Sequence, residues 1–544
     1  MSHESHHAAS GGGKVVGAIV LLAVVYVGTL IAGLPQKATE LIVASSAAHA
    51  TDAHATDAHA ADPHAADSHA VEGDAHGAAD SHGAEADIVA PPVWTVIPFV
   101  LLLGAIAVLP LIPFTEHWWE SNLHRFQLAT VLGLLTLAYY GFLHEKPIEG
   151  HFPAHYVADY DATGFNWEEI TAILGNAVAQ EYVPFIVLLF SLYTICGGIR
   201  IEGDLQANPM TNAIFMGAGG LLASFIGTTG AAMLFIRPLL ETNSERKHVV
   251  HTVVFFIFIV CNCGGCLLPI GDPPLFLGYL AGVDFFWTMS LWPAWLLCNG
   301  LLLVVYLLLD ELVYYRRETE ADITRDIRKI RHMKYMGLGL NGPLLLGVVA
   351  AVAFLDPSKT VPGTDWHPWL YLRELVQLGL VALSLALGSN AVRKANTFNY
   401  HAIQEVAALF IGIFICMQPA LQILGLNGEY LEANFLNSPS RFYWVTGGLS
   451  SVLDNAPTYL VFFKTAQVPG VGGATAGVDV NTLTAISLGA VFMGAMTYIG
   501  NGPNFMVKAI AEKSGVKMPS FFGYMAYSCL ILLPVLAVVG WRTF

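Results

Sequence analysis

Asp272 and Asp454 are the residues of this chain best placed to do chemistry. Asp272 lies in Pro269-Ile-Gly-Asp-Pro-Pro-Leu-Phe276, and Asp454 lies in Gly448-Leu-Ser-Ser-Val-Leu-Asp-Asn-Ala-Pro457; both segments interrupt apolar stretches. An ionisable side chain inside a membrane is costly and marks an ion or proton pathway by default. A hard cation such as Na⁺ suits carboxylate, carbonyl and amide oxygen. Thr228, Thr229, Asn455, Asn501 and Asn504 would supply neutral oxygen ligands from neighbouring segments. The competing reading is structural. Either acid could cap the N-terminus of a half-helix, where negative charge is favoured, and the neutral residues could satisfy unwound backbone.

Such residues need elements that bring them together, and the sequence supplies these in pairs. The break at Gly271-Asp272 has a counterpart at Gly500-Asn501, within Tyr498-Ile-Gly-Asn-Gly-Pro-Asn-Phe505, 229 positions on. Gln180-Glu181 is matched by Gln404-Glu405, 224 positions on, and Ile226-Gly-Thr-Thr-Gly230 aligns with Val452-Leu-Asp-Asn-Ala456. An odd number of crossings between partners makes the halves inverted copies. In secondary transporters, inverted repeats place the substrate site where broken helices meet near the bilayer midplane. Non-helical backbone at that depth survives only when buried in protein or lining a watery cavity. Glu181 and Glu405 are then candidates for a proton relay, with scaffold hydrogen bonding as the alternative.

Composition agrees with a membrane chain. Of 544 residues, 55% are hydrophobic and 12% charged, about half the charge of a soluble domain. The runs 15–34, 93–112 and 521–539 reach the roughly 20 apolar residues that cross a bilayer as helix. Alternating segments of a β-barrel are absent. The expected fold is an all-α polytopic membrane protein with about eleven transmembrane helices, two re-entrant hairpins (212–242 and 441–465) and two broken helices (252–280 and 483–511). The organisation reads as an N-terminal transmembrane helix, 1–34, retained as an uncleaved signal anchor, with a signal peptide cleaved near Ala48-His49-Ala50 as the alternative. A His/Asp/Ala-rich disordered extracytoplasmic segment, 35–91, follows. The first inverted repeat is 92–310, a basic cytoplasmic linker is 311–336, and the second repeat is 337–544.

Charge distribution supports this ladder. With the hairpins not crossing, sixteen Lys and Arg fall on one side and six on the other, and basic residues collect on the cytoplasmic side. The expected location is the inner (cytoplasmic) membrane, multi-pass, with a cytoplasmic N-terminus. Arg237, Lys464 and Lys508 lie on hairpin arms or after the second break, where they could snorkel, pair with the aspartates or attract an anion. His248 and His251 fall in a basic turn and read as surface residues.

The net charge of −16 is concentrated, since nine acids lie between Thr51 and Asp87. That stretch alternates Asp and His among alanines, with no aromatic residue, and cannot bury enough apolar surface to fold alone. His54, His59, His64 and His69 could bind transition metals weakly, because neutral imidazole suits Zn²⁺, Ni²⁺ and Cu²⁺; a plain solvated extension is the alternative. All seven cysteines sit in apolar segments, so a disulfide framework is not expected. Zincin motifs, nucleophile elbows and nucleic-acid motifs are absent. Two intramembrane aspartates invite an aspartyl-protease reading, but the Gly-x-Gly-Asp element is missing. The chain is not expected to be an enzyme or to need a cofactor.

Residues 92–541 resemble the ion transporter superfamily. Gly264-Gly-Cys-Leu-Leu-Pro-Ile-Gly-Asp272 and the segment around Asp454-Asn455 are similar to those of NhaD-type sodium/proton antiporters. Gly227-Thr-Thr-Gly-Ala-Ala-Met-Leu234, Asp272-Pro-Pro274 and Ile499-Gly-Asn-Gly-Pro-Asn504 look closer to the citrate and dicarboxylate branch. The first resemblance implies exchange of Na⁺ (or Li⁺) for H⁺ by alternating access, with both ions as transported ligands. The second implies Na⁺-coupled carboxylate transport. Either implies membrane lipid as surroundings, small ions or carboxylates as cargo, no nucleic acid, and a homodimer formed through scaffold helices.

Overall fold

The apolar segments fold mainly as helix in the computed structural model, which describes residues 5–45, 89–160, 164–319, 331–468 and 473–544. His54, His59, His64 and His69 lie outside the described residues. The first half contains α1 (Ser5–Ile31), α2 (Ile97–Val108), α3 (Asn122–Phe142), β1 (Ile148–Gly150), β2 (Tyr156–Ala158) and α4 (Trp167–Cys196). It continues through β3 (Arg200–Asp204), α5 (Pro209–Ile226), α6 (Thr228–Thr242), α7 (Val250–Ile259), α8 (Pro273–Leu280) and α9 (Trp287–Arg317). The second half begins with β4 (Arg331–Met336), α10 (Leu338–Phe354), α11 (Leu372–Leu387), α12 (His401–Cys416) and α13 (Gln418–Asn434). It ends with α14 (Pro439–Ser450), α15 (Asn455–Ala466), α16 (Val480–Met493), α17 (Gly502–Lys513) and α18 (Phe521–Thr543).

Among the described residues, six helices are long and apolar enough to cross a membrane, or seven if α12 and α13 make one span. The chain is a multi-pass α-helical membrane protein. The expected eleven spans are not eleven continuous helices. The spans placed at 252–280 and 483–511 are broken, and α10 and α11 have only 17 and 16 residues. The span placed at 401–424 bends by 46° around Met417, where Pro419 in the next turn has no N–H to give. Conversely α5, expected as one arm of a hairpin, is itself 18 residues and apolar.

Two other boundaries differ from the expectation. Residues 34–45 form a further helix, and the Thr39 hydroxyl meets Pro368 O at 3.4 Å, so the expected disordered segment starts as ordered helix. The linker also contributes structure: β4 pairs antiparallel with β3, Arg200 opposite Met336, and ties the two halves together.

Burial shows what stands at the centre. Every residue from Val253 to Cys261 is fully buried, as are Leu483, Ala485, Ile486, Leu488 and Ala490 to Phe492. A helix apolar on all sides must be surrounded, and here those are the first halves of the two broken helices. By contrast α1, α2, α9 and α18 leave Leu21, Val24, Val100, Leu296 and Leu530 more than half exposed, which is the surface a bilayer covers.

The two halves use matching devices. Asn208 and Ser438 cap α5 and α14, their side chains accepting from the N–H of Thr211 and Arg441, and a proline follows each. Ser224 donates to Gly264 O at 2.6 Å, and Ser450 donates to Ala490 O at 2.7 Å, so a serine of each first arm grips the facing broken helix. That contact is close because side chains are missing. A Cβ on Gly264 would lie 2.5 Å from both Cα and O of Gly220, and backbone cannot step aside as a flexible side chain can. Gly264→Ala is expected to cost about 1–3 kcal/mol through overpacking, seen as a lowered melting midpoint of the purified protein. An unchanged midpoint would show that this contact is looser than described.

Candidate functional site

The second half-helices α8 and α17 begin in the same way. Asp272 and Asn501 are their N-cap residues, both with extended backbone, and neither side chain bonds its own helix. A capping carboxylate would accept from the first turn; that of Asp272 turns to the centre instead. Its Oδ1 accepts from the Thr228 hydroxyl at 2.9 Å and from Asn501 Nδ2 at 3.0 Å. Its Oδ2 accepts from Asn455 Nδ2 at 2.7 Å. Thr228 opens α6 and Asn455 opens α15, so both hairpin tips and both breaks meet at one carboxylate. Asp272, Thr228, Asn455 and Asn501 are all at most 2% exposed.

Why the tips reach it follows from the local chain. Gly227 has φ +78°, a left-handed turn that glycine adopts at little cost, and it reverses α5 directly into α6. The second tip is longer: Ser451, Val452 and Leu453 intervene before Asp454 caps α15, its carboxylate accepting from Ala456 N at 3.1 Å. Thr228 is therefore the structural counterpart of Asn455, one position off the sequence alignment. Asp454 is half-buried; it caps α15 and also lies near enough to interact electrostatically with Asp272.

A chain of amides continues behind the carboxylate. Asn501 Nδ2 also reaches Asn262 Oδ1 at 3.3 Å, and Asn262 Nδ2 donates to Asn504 Oδ1 at 2.7 Å. Asn504 Nδ2 in turn donates to Gly494 O and Thr497 O, both at 2.9 Å. Asn504 thus satisfies carbonyls freed by the second break, the backbone role anticipated as its alternative. Asn262 was not singled out from sequence; its signal was one amide amid the small and apolar residues of Cys261-Asn-Cys-Gly-Gly-Cys266. One atom of the site stands out: Asn455 Oδ1 is buried with no hydrogen-bond partner. Buried polar atoms are nearly always paired, so a lone amide oxygen beside a carboxylate suits an oxygen-seeking cation.

The remaining candidates lie elsewhere. Thr229 is half-buried and is not a partner of Asp272. Glu405 pairs with Arg125 at 2.8 Å and is 36% exposed, a scaffold contact. Glu181 sits in a π-helical turn of α4, a feature frequent at functional sites; its Oε2 is buried without a hydrogen bond, and Lys464 is its charged neighbour. Neither Lys464, which donates to Gln467, nor Arg237, which donates to Thr397, nor Lys508, which pairs with Glu512, bonds either aspartate. His251 is no surface residue: it is 1% exposed, 3.0 Å from Asp310 and stacked on Tyr314.

Comparison with known proteins places this arrangement. A family model described as "Putative citrate transport" matches residues 89–544. An uncharacterized transporter of Mycobacterium tuberculosis and one of Mycobacterium bovis are each 24% identical to this chain over 398 residues, covering 70% of it and 86% of the relative. The match leaves out α1 and the histidine tract but takes in both hairpins, both broken helices and every side chain around Asp272, so this chain belongs to that citrate transport family.

Proposed function

We propose that the protein is a secondary transporter whose coupling ion binds at Asp272, exchanging Na⁺ for H⁺ by alternating access. The observation that carries this reading is the buried carboxylate held by Thr228, Asn455 and Asn501, with Asn455 Oδ1 unpartnered beside it. Carboxylate, hydroxyl and amide oxygens are hard ligands, which suit a hard alkali cation better than a soft metal. Proton and cation compete for the same two carboxylate oxygens, and that competition is sufficient for exchange. The hairpins and broken helices would carry the site across while α3, α4 and α12 stay in place. The excess of basic residues on one side supports a cytoplasmic N-terminus.

A second reading is favoured by the family's description: Na⁺ at the same site would couple uptake of citrate or a dicarboxylate, received by the neutral Gly227-Thr-Thr229 tip. Everted vesicles separate the two. Under exchange, Na⁺ addition dequenches a pH-sensing dye without any carboxylate present. Sodium-dependent citrate uptake with no such dequenching would replace exchange by the carrier. Asp454→Asn is expected to reduce either activity less than about tenfold, because Asn caps a helix nearly as well as Asp. A complete loss would move the ion site from Asp272 toward the second tip.

A further inference from the structure

Away from the central site, three ligand-type side chains gather at the mouth of the β1–β2 hairpin. The register pairs Ile148 with Ala158, Glu149 with Val157 and Gly150 with Tyr156. One more step along it sets His151 across from His155, with Phe152-Pro153-Ala154 as the loop. Strand side chains alternate with period two, so Glu149 and His151 share a face. His155 joins them from the facing strand, since directly opposed residues lie about 4.5–5.5 Å apart at Cβ. One ligand atom from each of the three lies within 4.8 Å of the others. His151 Nε2 is 3.7 Å from Glu149 Oε2, His155 Nε2 is 4.0 Å from Glu149 Oε1, and the two rings are 5.6 Å apart.

The backbone beneath is held from the protein interior. Asn176, buried in the π-helical turn of α4, accepts from His151 N at 2.6 Å and donates to Glu149 O at 2.9 Å. One amide therefore fixes the strand that carries two of the three side chains. Their side chains are 38–46% exposed, enough for an ion to enter.

We propose that Glu149, His151 and His155 form a binding site for a divalent transition-metal ion, with Zn²⁺ the best match. Two imidazole nitrogens favour Zn²⁺, Cu²⁺ or Ni²⁺ over Mg²⁺ and Ca²⁺, which prefer oxygen alone. Three protein ligands leave one tetrahedral position for water, the pattern of an exchangeable site. At metal–ligand bonds of about 2.0 Å the three atoms would sit about 3.3 Å apart, and rotation of these half-exposed side chains supplies the difference. The motif is legible as Glu-x-His-x-x-x-His only once the hairpin is known.

The test uses the full chain, with the ten histidines before residue 90 replaced by Asn so that they do not compete. Zn²⁺ is titrated calorimetrically, Co²⁺ by visible absorption, and X-ray absorption at the zinc edge counts imidazoles. One equivalent per chain is expected, with a four-coordinate Co²⁺ spectrum, two imidazoles at the zinc edge and no displacement by excess Mg²⁺. H151Q and H155Q should each weaken binding about 100-fold, since outer-sphere partners alone are worth about 10–100-fold. Absence of saturable Zn²⁺ uptake overturns the site, as does unchanged affinity in H151Q and H155Q. A zinc edge without imidazole also overturns it, and needs neither H151Q nor H155Q to fold.

Discussion

Asp272→Asn is expected to lower the proposed Na⁺-coupled transport about 100-fold or more while the protein still folds. The carboxylate now offers two acceptor oxygens to three donors, Thr228 Oγ1, Asn501 Nδ2 and Asn455 Nδ2. An amide keeps one acceptor and turns its NH₂ on a donor, leaving a buried group unsatisfied at about 1–3 kcal/mol. It also removes the charge that accepts from both tips. Losing about 3 kcal/mol of ion binding corresponds to roughly 100-fold in affinity. Everted vesicles report the transport, and a melting curve on purified protein reports the fold. A variant that melts normally and transports at more than a tenth of the wild-type rate would remove Asp272 from the ion site.

The second large effect concerns stability. Arg246, Asp310, His251 and Glu318 form a buried ionic cluster that joins the start of α7 to the end of α9. Arg246 Nη1 donates to Asp310 Oδ2 at 2.9 Å, and the Tyr306 hydroxyl donates to the same oxygen at 2.9 Å. Glu318 lies 3.8 Å from Arg246 Nε and accepts from His248 N at 3.0 Å. Removing one partner of a buried pair strands the other charge and costs about 3–5 kcal/mol, whereas replacing both with apolar groups is often neutral. Arg246→Met should therefore lower the melting midpoint sharply, and R246M combined with D310L should recover the part of the loss that the stranded Asp310 causes, Glu318 still lacking its cation. If the double variant melts no higher than R246M, lost packing rather than a stranded charge is the cause.

Sequence alone was informative where a single local property decides the outcome. Apolar run length identified most of the long membrane helices, and matched Gly positions located both breaks, while the repeat spacing placed the two tips to within one residue. It also identified Thr228, Asp272, Asn455 and Asn501, four residues that converge within hydrogen-bonding distance. Helix continuity was less legible, because a residue like Pro419 bends a span without shortening its apolar run.

Contacts between distant segments settled the rest. Asp272 and Asp454 have the same residue type in similar surroundings, yet one faces the centre and the other caps α15. The difference arises because Thr228 and the two asparagines, 44 to 229 positions away, offer Asp272 better donors than its own first turn. Burial of His251 and the joining of Glu149, His151 and His155 have the same origin. Periodicity and composition are properties of neighbours along the chain, whereas a side chain's partner is chosen in three dimensions, where hydrogen bonds and charges must be matched across the fold.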